Sequence, residues 1–228
     1  MDVGEKFARQ VVFRLGVVLP LLFRGLVAIL CGANPALALG AQSIPYSQEP
    51  SELLWHEGQP LSWADFQGEP PSASLPNEAA KIWLGLKYSA SWAVSFDFSR
   101  RQWIARLSNI STQAFVDRRR SWVLPNRRTP DLLRHEQGHF DLLEVFRRRL
   151  ETEFSRLIGR TVAGSTPQEA EQQLALLLEE VYKRVWQAHE VCQAQYDQET
   201  RNGQDLLRQK QWENLIGQWL RELTRVLP

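Results

Sequence analysis

Cysteine is nearly absent from this chain: two in 228 residues are too few for a scaffold held together by disulfides. Net charge is nearly absent as well. Lys and Arg number 27 against 26 Asp and Glu, which leaves +1 at pH 7 and no basic field of the kind that draws in nucleic acid. The apolar stretch from Val17 to Leu30 is broken by Arg24, so it falls short of the about 20 uninterrupted residues that a bilayer span needs. There is no glycine-rich phosphate loop and no G-x-S-x-G elbow. A disordered chain is excluded by a 43% hydrophobic fraction that includes nine Trp and ten Phe. Histidine is scarce, at four, and two of the four carry the argument.

What is present first is a leader. Lys6, Arg9, Arg14 and Arg24 precede the charge-free segment Gly25 to Gly40, which ends in small residues at Ala36-Leu37-Ala38 and Ala41. A basic start, a short apolar middle and small residues at the cut describe a secretory signal peptide over residues 1–41, cleaved near Ala38 or Ala41. The rival reading is an uncleaved membrane anchor. Secretion or a periplasmic location follows, with membrane contact only through an uncleaved leader. A cut after Ala41 leaves a net charge of −1 and a single cysteine, Cys192, which then has no internal partner and reads as a small buried hydrophobe.

Residues 42–78 are rich in Pro, Ser and Glu and read as loop, with Leu61 to Phe66 as an apolar island that docks on the core. Residues 79–228 form the folded domain. Within it, 81–124 carries short aromatic and β-branched runs that predict an antiparallel meander of about four strands. Everything from Thr129 on reads as helix, between 130 and 227: a first helix to Gly159, a second from the capping box Thr166–Glu169 to about Gly203, and a third from about Asp205 to Leu227. The predicted fold is α+β, a small, mostly antiparallel sheet packed on the long first helix, with two further helices behind. The triplets Arg118–Arg120 and Arg147–Arg149 read as solvated surface, and most of the tryptophans as core.

The chemistry lies on the first helix, in His135-Glu136-Gln137-Gly138-His139, an H-E-x-x-H pattern. Residues four apart share a helix face, so both imidazoles can aim at one ion. Two nitrogens suit Zn²⁺ and leave room for a third ligand and a water, whose pKa zinc lowers towards about 7. Glu136 follows the first ligand and can take that water's proton as general base. Asp141 and Glu144 point off the metal face, so the third ligand must come from elsewhere. Gln195-Tyr196-Asp197-Gln198-Glu199-Thr200, at the end of the second helix, offers Asp197 or Glu199 as ligand and Tyr196 as a donor to a developing oxyanion. His189 and His56 are weaker candidates.

HEQGHFD after an S-W-V strand, with L-S-W-A-D-F-Q-G upstream and Y-D-Q-E-T downstream, resembles bacterial domain-of-unknown-function family 922, over about Leu61 to Trp212. Members of that family are described as predicted secreted zinc-dependent proteases. The resemblance implies a zincin-like metallopeptidase with His135 and His139 as ligands and Glu136 as base. It departs at one place: the family pattern usually continues as x-H-G, whereas this chain has Arg201-Asn202-Gly203. If the family's His is the third ligand, Asn202 leaves a weakened enzyme or an inactive, zinc-stabilised binding module of the envelope. If Asp197 is the ligand, only an outer partner is lost. The reading taken forward is Asp197 and a peptidase acting on peptide or protein in the cell envelope, with the segment Ser121 to Leu124 aligning substrate as an added strand.

Overall fold

The computed structural model describes residues 38–44, 51–71 and 78–224, all within the unit Ala36–Pro228. Seven strands and three long helices follow one another as β1 (Ala38–Ile44), β2 (Glu52–Leu54), β3 (Ala80–Lys81), β4 (Leu84–Asp97), β5 (Gln102–Asp117), β6 (Trp122–Val123), α1 (Pro130–Ser155), β7 (Thr161–Gly164), α2 (Pro167–Thr200) and α3 (Leu206–Thr224). The fold is α+β, as the sequence predicts.

A hairpin of two long strands is the frame. β4 and β5 pair antiparallel from Leu84↔Val116 to Asp97↔Gln102, with one register shift at Ser91/Trp92. The sequence predicts about four short strands over 81–124; β3 to β6 lie there, but β4 and β5 are long and unbroken where short runs are predicted. The difference is physical: Ser89, Ser91 and Ser111 stand on the polar face of continuous strands, where the alternation has period two, and do not mark turns. β1 adds to the outer edge of β4, and β2 and β7 share the other edge of β5. β3 and β6 form a separate two-stranded ribbon.

Two segments depart from expectation. β2 comes from the Pro/Ser-rich region read as loop, and it pairs Glu52, Leu53 and Leu54 with Asp117, Val116 and Phe115. β7 lies between two helices, where the sequence shows only helix ends; its four residues are too short to declare a period. The island does dock, with Leu61 and Phe66 both buried.

One core lies between sheet and helices. Leu86, Ala90, Val94, Ala105, Leu107, Ile110 and Ala114 from the hairpin meet Phe140, Leu143, Phe146, Leu150 and Phe154 of α1 and Leu174, Leu178, Val181 and Val185 of α2. A smaller cluster of Leu142, Val145, Tyr196, Trp212 and Ile216 seats α3 against the first two helices. Arg147 and Arg148 are not solvated as predicted. Arg148 is buried, donating to Glu144 Oε1 at 2.8 Å and to the Leu220 carbonyl oxygen at 2.7 Å, while Arg147 donates to Glu144 and to Thr112 Oγ1.

Of the predicted leader, only Ala38 to Ala41 falls among the described residues, inside β1. A cut after Ala41 leaves Gln42, Ser43 and Ile44 paired with Trp92, Ser91 and Ala90. Among the described residues no helix is long and apolar enough to cross a membrane.

Candidate metal centre

Thr129 starts α1: its hydroxyl accepts from the Leu132 amide at 3.2 Å, and Pro130 fills the first helical position, where no amide is missed. His135 and His139 therefore sit in the second and third turns, on the face that meets α2. α2 runs back along α1, so its last turns, with Gln193, Tyr196 and Asp197, arrive beside the two histidines.

The structure brings His135, His139 and Asp197 together, and their ligand atoms all lie within 4.8 Å of one another. Asp197 Oδ1 is 3.1 Å from His135 Nε2 and 2.9 Å from His139 Nε2, and the two Nε2 atoms are 3.1 Å apart. The histidines are buried, while Asp197 keeps a side-chain exposure of 41%, so the cluster opens to solvent on its carboxylate side.

Both histidines are held from behind by glutamine amides. His139 Nδ1 meets Gln193 Oε1, and Gln193 Nε2 donates to the carbonyl oxygen of His139 at 2.9 Å and to His189 Nε2 at 2.7 Å. His135 Nδ1 lies 3.3 Å from Gln209 Oε1, and Gln209 Nε2 donates to the Tyr196 hydroxyl at 2.7 Å. An amide oxygen only accepts, so each Nδ1 must carry the proton and each Nε2 must present a lone pair. Three acceptors then converge on one point with no donor among them. Such an arrangement needs a cation between the lone pairs, either a proton or a metal ion.

The electrostatics say the same. Burial opposes charge on His139, yet the hydrogen bond and charge of Asp197, with Glu136 nearby, raise its pKa to about 9. Burial dominates at His135 and lowers its pKa. Burial alone would raise Asp197, but its bonds to the two histidines hold it below the usual carboxylate range. Without metal, a proton on His139 supplies the missing cation. Glu136, the neighbour of His135, is buried and accepts from the Ile82 amide; burial lifts its pKa to about 7. That value suits a group that must be ionised and still basic near neutral pH.

Tyr196 takes a different place from the one predicted. Its ring stacks on His135 at 4.8 Å and its residue is 0% exposed, with the hydroxyl donating to the His135 carbonyl oxygen at 3.1 Å. The hydroxyl proton is committed inside the core, so none is left for an oxyanion. Close approach of that ring requires Gly138, where any Cβ would collide with the Tyr196 hydroxyl. Glu199 is exposed and accepts from Trp212 Nε1 at 2.9 Å, outside the cluster. His56 lies in an exposed loop beyond β2, also outside it. His189 is buried behind Gln193. Asn202 is exposed. Arg201, Asn202 and Gly203 all have positive φ, at 51°, 53° and 78°, and this turn lays Gly203 against His135, whose Cβ a side chain there would meet at 2.7 Å. Ser121 to Val123 are buried and Leu124 is half-buried, and the segment offers no open edge: β3 pairs with it on one side, and Ser121 O accepts from the Gly68 amide on the other.

Neither Gln193 nor Gln209 belongs to the H-E-x-x-H or Y-D-Q-E-T motif. Gln193 stands four residues before Asp197 and four after His189, a helical spacing that could have marked it. Gln209 has no local signature, because α3 only reaches His135 through the turn at 201–203.

The pattern of the family described as "Bacterial protein of unknown function (DUF922)" matches residues 93–204. Residues 93–204 are a domain of this family. The match is narrower than the predicted resemblance: it begins within β4, takes in β5, α1, β7, α2 and the turn at 201–203, and so holds the whole cluster but not Gln209. No curated protein and no solved structure is detectably similar to the chain.

Proposed function

We propose that this DUF922 protein is a zinc-dependent peptidase of the bacterial cell envelope. The observation that carries the reading is the convergence of His135 Nε2, His139 Nε2 and Asp197 Oδ1, with both imidazoles turned by glutamines to face one point. Two histidines and one carboxylate, open on one side, match the donor set of catalytic zinc sites. A zinc ion there supplies Lewis acidity towards a carbonyl and makes water acidic enough to ionise near neutral pH.

The chain's own residues do the rest. Asp197 balances charge and fixes the open side of the cluster. Glu136, poised near pH 7 by burial, takes the proton of the attacking water and returns it to the leaving amine. Gln193 and Gln209 hold the imidazoles so that neither must reorganise. The leader directs the chain out of the cytoplasm, which fits a substrate in the envelope.

Glu136→Gln tests the assignment. It keeps the three donors and removes the base, so the variant retains full metal content and loses turnover of a peptide library by a factor of about 10² or more. Hydrolysis at the wild-type rate in that variant would sink the mechanism.

A further inference from the structure

We propose that the free edge of β7, together with the face of α2 beside it, is a docking groove for an extended, basic polypeptide segment. The register fixes which backbone groups are open. Leu107 N donates to the Arg160 carbonyl oxygen at 3.3 Å, and Gly159 N donates to the Leu107 carbonyl oxygen at 2.8 Å. Bonds to β5 therefore run through Arg160 and, at steps of two, through Val162 and Gly164, which lie opposite Ala105 and Trp103. Thr161 and Ala163 direct their N–H and C=O groups the other way, and among the described residues β7 pairs with β5 alone. Both residues are exposed, and neither is a charged side chain or a proline of the kind that usually blunts a strand edge.

This edge borders a groove of about 450 Å³ whose other wall is one face of α2. Glu169, Gln173, Leu176, Leu177 and Glu180 recur there at helical spacing. Leu177 packs against the core, while Leu176 is 49% exposed. Gly164 closes one end, since a Cβ there would meet the Ala170 amide nitrogen at 2.4 Å.

Charge decides the occupant. The lining holds two carboxylates and no cation. Glu169 gives one oxygen to the Ser165 amide, and Glu180 is exposed. Cations nearby are engaged or turned away. Lys183 pairs with Glu179 and Arg184 with Glu153. Arg106, opposite Thr161, stands on the sheet face away from α2, because its neighbours Ala105 and Leu107 face the core. A second copy of the chain is the wrong occupant, as two-fold pairing of β7 with itself sets the same acidic lining on both sides. An extended segment gives main-chain partners to Thr161 and Ala163, lays apolar side chains on Leu176 and meets Glu180 with lysine or arginine. Glu180 and Asp197 are about 25 Å apart along α2, so docking needs no metal.

The test uses the full chain in the presence of a zinc chelator, which keeps hydrolysis out of the measurement. The probe is a fluorescein-labelled peptide of alternating valine and threonine with two lysines at each end, followed by anisotropy and by hydrogen exchange. Wild type should bind it saturably and protect the Thr161 and Ala163 amides. Ala163→Pro removes an outward N–H and no bond to β5, so it should weaken binding about tenfold or more with an unaltered circular dichroism spectrum. Glu180→Lys should weaken it several-fold, and glutamates in place of the peptide's lysines should do the same for wild type. No binding by wild type, equal binding by Ala163→Pro, or a preference for the acidic peptide would overturn the proposal. Exchange keeps the test decisive if the proline variant fails to fold: amides at 161 and 163 left unprotected at saturation would also overturn it. Self-association without peptide, abolished by Ala163→Pro, would assign the edge to a second copy and equally overturn the proposal.

Discussion

Gln193 grips His139 at both ends of the same residue: its Oε1 meets the ring at Nδ1, and its Nε2 donates to the backbone carbonyl oxygen 2.9 Å away. A side chain on α2 thus fixes ring, tautomer and helix position together, four residues before the carboxylate that completes the cluster. The amide cannot be turned end for end without placing a donor against the Nδ1 proton, so the arrangement is specified in one sense only.

Gln193→Leu should therefore loosen the ligand more than the fold. Metal affinity falls by a factor of about 10 to 100, measured by competition with a chromophoric chelator, as for other outer partners of metal-bound histidines. Gln193→Glu keeps an acceptor at Nδ1 and should hold affinity within a few-fold of wild type. Equal losses in the two variants would mean that Gln193 contributes only packing.

The Tyr196 hydroxyl serves the core, and its removal separates structure from chemistry. Tyr196→Phe keeps the stacked ring and strips the bonds to His135 O and Gln209, at a stability loss of about 1–2 kcal/mol in urea unfolding. Turnover should stay within a few-fold of wild type, whereas loss of an oxyanion donor would lower it about 10² to 10³-fold. Gly138→Ala attacks the same contact from the other side and should destabilise by about 1–3 kcal/mol through the forced displacement of Tyr196.

Much of this was legible in the sequence, for identifiable reasons. H-E-x-x-H declares itself because spacing along one helix is local, and Asp197 could be named because a polar cluster at a helix end must face something. The number of strands over 81–124 is legible but the continuity of β4 and β5 is not, because period-two alternation with serine on the wet face looks like punctuation. β2 and β7 were missed because three and four residues carry too little pattern; the pairing with β5 creates them. Tyr196 was placed near the right atoms but assigned the wrong direction, since nothing in one dimension says that Gly138 opens a slot for its ring. Gln209 depends on three consecutive positive φ angles at 201–203: Asn202 and Gly203 favour that region, but nothing local places Arg201 there.

His189 gives the protein an acid-sensitive point. Burial holds its pKa down to about 3, and its Nδ1 has no hydrogen-bond partner. The unfolded chain takes up a proton near pH 6.5 and the folded chain refuses it. Stability is thus lost as pH falls from about 6.5 towards 3, by up to about 1.4 kcal/mol per pH unit from this group. His189→Leu should flatten the urea midpoint across that window relative to wild type. An unchanged slope would show that His189 is protonated in the fold.

The central claim is that two histidines and Asp197 hold one metal ion, and metal stoichiometry measures it directly. Purified full-length protein, equilibrated with zinc and freed of excess, should carry about one zinc per chain by elemental analysis. His139→Ala and Asp197→Ala should each carry far less under the same treatment. The contradicting result is a wild type that binds no zinc, or variants that bind as much as wild type; either outcome would leave the three converging acceptors as a proton-bridged structural cluster.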